Sequence, residues 1–407
     1  MKSFFFAGVC VLAELAIAEP SVSAVSTVHD PASGRVRVTY TLSGGPAIVT
    51  FDVTTNGVAV GGANLRFHDG EVCRRVADGT HAFTWHSLKS DLGKVGPVGS
   101  CAVSVTAWSP STPPDYMVVN LVTGETRYYP NAEALPDGGV TNILYKTERM
   151  AFRKIPAANV QWRMGMNDAD DWGVANECAH LVTLASDCYL AVYELTQKQY
   201  YWVMGAMPGC DYTGENREVH PVEKINFNSN RGNAVWNQDG TNVNRSVGTS
   251  GFLYQFRSRT GGGFDYPLEA LWEFACRAGS GNNLYENSFG YTDLDTWKDS
   301  TRLKNICAHR TGQTMPVGTY EPNKWGLYDM LGNVSECCLD HYVDDITQVD
   351  PNKGPARGDN TKLTMRGGGY SDDAYRLRTA ARQGDGWTGW IHRGLRVACP
   401  VDALPTK

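Results

Sequence analysis

The run Met365-Arg-Gly-Gly-Gly-Tyr370, followed by Ala374, Arg378, Arg382 and Gly394-Leu-Arg396, constrains this chain more than any other feature. Three consecutive glycines admit backbone torsions closed to other residues, or let two segments approach closely. The arginines around them need carboxylate partners if buried, and anionic or polar ligands if exposed. The sequence holds enough acids for structural pairs, so both readings of Arg366, Arg378, Arg382 and Arg396 stand open. With 43 glycines in 407 residues, long irregular connections are expected to make much of the surface.

The length allows two domains, each with its own core. A formal net charge of -6 gives no electrostatic footprint for nucleic acid. Lys2, the apolar stretch from Phe4 to Ala13 and the small residues of Ala16-Ile-Ala18 read as an export signal over residues 1–18, although Glu14 interrupts it. The expectation is a secreted or periplasmic protein. No run approaches the roughly twenty apolar residues that a membrane span requires. Removing the signal leaves ten cysteines, an even number that permits disulfides in an exported chain. Cys73 and Cys101 stand alone in the N-terminal third and are the expected pair within it.

Residues 25–110 carry strand periodicity. Val36, Val38, Tyr40 and Leu42 alternate with polar neighbours, as do Ala47, Val49, Phe51 and Val53. Asn56-Gly57 between two such runs is a hairpin signal, because both residues tolerate positive φ. A small all-β sandwich is expected here, closed by Ser109-Pro-Ser-Thr-Pro-Pro114 as a break. Residues 111–149 read as linker and bridging strands, and residues 150–400 as a second, α+β domain. In the latter, Thr196 and Gln199 form a capping box for a helix that stops at Gly205. A second helix has Pro267 in its first turn and ends at Gly279.

Several blocks in fixed order resemble the formylglycine-generating enzyme, or sulfatase-modifying factor, family. They are Ile155-Pro156 with Trp162-Arg-Met-Gly165, Tyr193-Glu-Leu-Thr196, His220-Pro-Val-Glu-Lys-Ile225 and Phe264 to Gly279. Met315-Pro-Val-Gly318, Gly326-Leu-Tyr-Asp-Met-Leu-Gly-Asn333 and the Arg-Gly-Gly run complete them. The resemblance implies a variant of the C-type lectin-like fold with little regular secondary structure. It also implies a structural Ca²⁺ held by the Asp329 side chain, the carbonyls of Gly332 and Val334, and the Glu336 carboxylate, a hard-oxygen set. A packed turn without metal is the competing reading.

The oxidases of that family use two cysteines after the Arg-Gly-Gly run to hold copper, and here the segment reads Ser371-Asp-Asp-Ala-Tyr-Arg-Leu-Arg378. Aligned on that run, the first cysteine falls at Asp372, the family serine falls at Gly369, and two pocket tryptophans become Ser335 and Cys337. Copper is therefore not expected. Cys337 and Cys338 are adjacent, and neighbours on one strand face opposite sides, which argues against both reaching one metal. The expected function is a binding module for a peptide, glycan or protein, with Arg366, Asp372, Asp373, Trp387 and Trp390 as ligand-binding candidates. Trp387 and Trp390 stand in a Gly-rich loop where aromatic faces could stack on a ligand or pack inward. The alternative is a copper-dependent oxidase converting cysteine to formylglycine in sulfatases with rearranged ligands. A purely architectural role is a third reading.

Overall fold

The computed structural model describes residues 19–90, 99–166, 175–224, 230–231, 247–281, 284–285, 298–353, 355–356, 362–386 and 392–407. The export signal read at 1–18, together with Trp387 and Trp390, lies outside the described residues.

The alternating segments of the N-terminal third form two facing sheets. One runs β1 (Ser21–Asp30), β2 (Arg35–Ser43), β7 (Gly79–His86) and β5 (His68–Gly70). The other pairs β3 (Ala47–Thr55) with β4 (Val58–Ala59), β6 (Arg74–Val76) and β8 (Cys101–Trp108). Every second residue of β2, from Val36 to Leu42, is buried and meets Val49, Phe51, Val53, Phe83 and Trp85 in one apolar cluster. Asn56 and Gly57 both take positive φ in the β3–β4 turn, as their sequence suggested. The expected disulfide does not form, and all ten described cysteines are free. Cys73 donates its N–H to the Val49 carbonyl, whereas Cys101 pairs with Thr55 six residues further along β3. At about 3.3 Å per residue, that places them some 20 Å apart along the strand.

The strands read as bridges are integral to the second domain. β9 (Tyr116–Asn120) and β10 (Thr126–Tyr129) extend a five-stranded sheet in the order β10-β9-β11-β14-β19, with β11 at Arg149–Ile155, β14 at Cys188–Ala191 and β19 at Ala398–Pro400. β12 (Val160–Met164) and β13 (His180–Leu184) make a separate hairpin. Along β14, Tyr189 and Ala191 join one apolar core while Cys188 and Leu190 join a second on the other face. Helix α1 (Gln197–Met204) begins with the Thr196–Gln199 capping box and ends at Gly205 in the left-handed region. Helix α2 (Phe252–Thr260) packs Phe252 and Phe256 into the first core. Helix α3 (Glu269–Arg277) buries Trp272 and Ala275 in the second. Pro267 precedes α3 rather than entering its first turn, and Ala278 in the left-handed region forms its C-cap, one residue before Gly279.

A final sheet carries the signature segment. Its order is β17 (Arg382–Gly386), β16 (Lys362–Arg366), β15 (Ser335–His341) and β18 (Arg393–Gly394), the last pair parallel.

The sandwich docks closely on the second domain. The Tyr128 N–H donates to the Cys73 carbonyl at 2.8 Å, and Ile48 of β3 shares a core with Tyr128 and Tyr189. Gly62 lies so near the backbone of Ala134 that a Cβ there would sit 1.9 Å from its Cα.

Candidate functional site

The four signature arginines lie in the interior, each paired with a different buried glutamate. Arg366 meets Glu273, donates to the carbonyls of Ala380 and Ala381, and lies over the Trp272 ring. Arg378 grips Glu177 at 2.7 and 3.0 Å, and Arg382 grips Glu269 at 2.7 Å with two nitrogens. Arg396 reaches both oxygens of Glu336, at 2.6 to 3.0 Å, and also the carbonyls of Ala191, Val192 and Tyr328. This position corrects the expectation for Arg366. It is fully buried, and the alternation of β16 puts Met365 in the first core, where it also lines a pocket, and Arg366 among the buried glutamates on the other face.

That pocket, a cavity of about 360 Å³, is lined by Ser335, Ser371, Asp372, Arg376, His392 and Arg393, with Met365, Asp373, Gln383 and Asp385 completing its wall. Asp372 accepts from the Gly369 N–H at 2.8 Å and faces Arg376 at 3.7 Å. Asp373 is exposed and pairs loosely with Arg310 at 3.3 Å. Arg393 pairs with Asp385 and donates to the Gly386 carbonyl. The Ser371 hydroxyl contacts the His392 imidazole at 2.7 Å, and the Tyr370 ring meets that imidazole edge-on at 4.6 Å. Burial holds the His392 pKa below its ordinary value, with Asp372 pulling the other way, so the ring is neutral at pH 7. Gly369 has a steric reason to be glycine, since a Cβ there would meet the His392 Cβ at 2.7 Å. The structure thus brings Asp372 and Asp373 together with Ser335, marked by the sequence only as a replaced tryptophan, with Gln383, Asp385 and His392 of the segment that carries Trp387 and Trp390, and with Arg376 and Arg393, which the sequence did not mark individually. Their segments are far apart in the chain, and polar residues in Gly-rich loops carry no periodic signal.

The adjacent cysteines part as strand geometry demands. Cys337 enters the first core, its sulfur 3.4 Å from that of Met365, and Cys338 enters the second. Burial pushes the Cys337 thiol up to about 12 and Cys338 well above its ordinary value, so both are neutral thiols rather than thiolates. Among the described residues, no three His, Cys, Asp or Glu side chains gather closely enough to hold a metal by side chains alone.

The calcium set fits in charge and not in full geometry. Glu194, Asp329 and Glu336 are three buried carboxylates beside one buried guanidinium, Arg396. Burial, then Asp329 and Glu336, push Glu194 well above the usual carboxylate range, and burial raises Asp329 to about 6. Yet Glu336 is committed to Arg396 and to the Trp272 indole N–H at 2.6 Å. Asp329 accepts from the Gly318 N–H, and Glu194 accepts from Asn333 and the Val334 N–H. The Glu336 carboxylate is thus engaged by Arg396 and Trp272. The other buried acid beside Asp329 is Glu194, whose negative neighbours Arg396 only partly offsets, and which the sequence showed only as part of a family block.

Residues 153–400, more than half of the chain, match the family described as "Sulfatase-modifying factor enzyme 1-like domain". The chain belongs to that family. It is 28% identical over 219 residues to a formylglycine-generating enzyme of Thermomonospora curvata, covering 50% of this chain and 62% of that protein's length. It is 29% identical over 245 residues to the Streptomyces coelicolor enzyme, covering 56% and 68%. A "Chaperone protein LppX" of Paenibacillus barcinonensis is 28% identical over 214 residues, 46% of this chain and 71% of that protein. Among solved structures, Treponema denticola variable protein 1 matches with a TM-score of 0.46 at 23% identity, over 62% of this chain and 95% of that one. PvdO from Pseudomonas aeruginosa matches at 0.48 and 19%, over 61% and 94%. The sulfatase-modifying factor domain here is α+β, with short sheets and long loops surrounding two cores. Among the described residues no helix is long and apolar enough to cross a membrane.

Proposed function

We propose that this domain is a binding module, silent as a formylglycine-generating oxidase, whose ligand is a polar peptide segment or glycan held in the pocket around Asp372 and His392. One observation carries the reading. The position aligned with the first copper cysteine is Asp372, already engaged by the Gly369 N–H and Arg376, and the pocket wall contains no thiol. Copper(I) wants soft thiolates held together, and this wall offers hydroxyls, carboxylates, guanidiniums, an amide, one imidazole and the single thioether of Met365. Such a wall suits directional hydrogen bonding to a polar ligand.

A second reading rests on Cys337, whose sulfur lies against Met365 behind the pocket. An oxidase with rearranged ligands would recruit that soft pair. Cu(I) titration of the reduced protein, with thiol counting by mass spectrometry, separates the two readings. The binding module retains no stoichiometric copper and leaves sulfatase-derived cysteine peptides unchanged. One equivalent of tightly held copper, lost in Cys337→Ala and accompanied by peptide oxidation, would establish the oxidase instead. Glycan and peptide arrays then identify the ligand, with Asp372→Ala expected to abolish retention.

We also propose a structural calcium in the Asp329–Val334 turn, supported by the excess of buried carboxylate. Asp329 and Glu194 would hold it, with carbonyls of the turn and without Glu336. Removing calcium with EGTA is expected to lower the melting temperature by several degrees, restored by Ca²⁺ but not Mg²⁺. Identical melts with and without chelator would leave the turn metal-free.

A further inference from the structure

The cleft between the β-sandwich and the second domain holds a second polar cavity, of about 270 Å³, remote in sequence from the Asp372 pocket. Three arginines from three segments line it: Arg66 of the sandwich, Arg127 on β10 and Arg149 on β11. Their side chains are 28%, 24% and 25% exposed, so each still meets solvent in the cleft. Two carboxylates face them. Asp137 is shared between Arg149 and Arg66, the latter at 3.6 Å, and Glu125 takes Arg127 at 2.8 Å. Three cations against two anions leave one positive charge over.

His68 does not offset it. Its Nδ1 faces the Leu65 carbonyl at 2.8 Å and its Nε2 lies 2.7 Å from an Arg127 nitrogen, which makes the ring a neutral acceptor. The Arg66 Nε is buried and has no hydrogen-bond acceptor among the described residues. The outer nitrogens reach Asp137 only at 3.6 Å, longer than a hydrogen bond, so a ligand oxygen in the cavity would give this guanidinium a closer acceptor.

We propose that this cleft binds a tetrahedral oxyanion group, phosphate or sulfate, between the guanidiniums of Arg66, Arg127 and Arg149. Planar guanidiniums suit such groups because each offers paired N–H donors to two oxygens. Since Arg66 belongs to the sandwich and the other two to the second domain, the anion would also tie the domains together.

The test is calorimetric titration of the full chain with inorganic phosphate, inorganic sulfate and phenyl phosphate, in chloride of matched ionic strength. Saturable binding of one anion per chain is expected. Arg66→Gln and Arg149→Gln should each weaken it about tenfold or more, as for loss of a charged hydrogen bond. Phenyl phosphate binding as tightly as the free ion indicates an ester group as the ligand, and its exclusion indicates the free ion. Either meets the proposal. No heat beyond the chloride control, or unchanged affinity in both variants, overturns it. Circular dichroism of the two variants shows whether they keep the fold, and Arg66→Lys, expected to bind at intermediate strength, tests the site without removing charge.

Discussion

Arg396→Met is expected to destabilise the sulfatase-modifying factor domain by roughly 3–5 kcal/mol, the range for breaking a buried ion pair from one side. The guanidinium touches Glu336 with two nitrogens and also satisfies the carbonyls of Ala191, Val192 and Tyr328. Without it, Glu336 faces Glu194 and Asp329 in the interior, and the cation that remains is Lys146, which acts on Asp329. Protonating Glu336 relieves the repulsion, at a cost in free energy at neutral pH. Urea unfolding followed by tryptophan fluorescence measures the loss. The double variant Glu336→Gln/Arg396→Met should recover more than about 1 kcal/mol relative to the sum of the single variants, as residues in one network do. Additive effects within about 0.5 kcal/mol would mean that Arg396 acts through its carbonyl contacts alone.

The second large effect concerns the joint between domains. In Gly62→Ala the new methyl carbon would stand 1.9 Å from the Ala134 Cα and 2.6 Å from the Glu133 carbonyl oxygen. Both are backbone atoms, so no side chain can swing aside and the domains must separate locally. Overpacking of this kind costs roughly 1–3 kcal/mol. Calorimetry is expected to resolve two melting transitions in place of one, and protease cleavage within residues 109–114 should accelerate. Gly209→Ala is the control, because nothing lies within 4 Å of a Cβ placed there. A variant that melts as the natural protein does would show that the joint is soft. Opening it would also pull Arg66 away from Arg127 and Arg149, so anion affinity should fall with it.

Local chemistry was legible wherever a short stretch sufficed. The alternation in β2 and β3, the Asn56-Gly57 turn and the Thr196–Gln199 capping box each follow from neighbours within a few residues. The ordered family blocks and the missing cysteines after Gly369 were equally plain, and the opposite facing of Cys337 and Cys338 follows from the strand repeat of two. The expected Cys73–Cys101 bridge failed because counting cysteines says nothing about which end of β3 each one reaches.

The sequence by itself determined the family, the loop-rich α+β class and the absence of cysteine between Cys338 and Cys399, since each is written in the order and identity of nearby residues. Only the tertiary structure decided what the arginines do. Arg366 finds its glutamate 93 residues away and Arg378 finds its own 201 residues away, distances over which no pattern selects one acid from the 43 available. Folding makes that choice through strand alternation and burial, which turn Arg366 inward and leave Met365, Asp372 and His392 to shape the pocket.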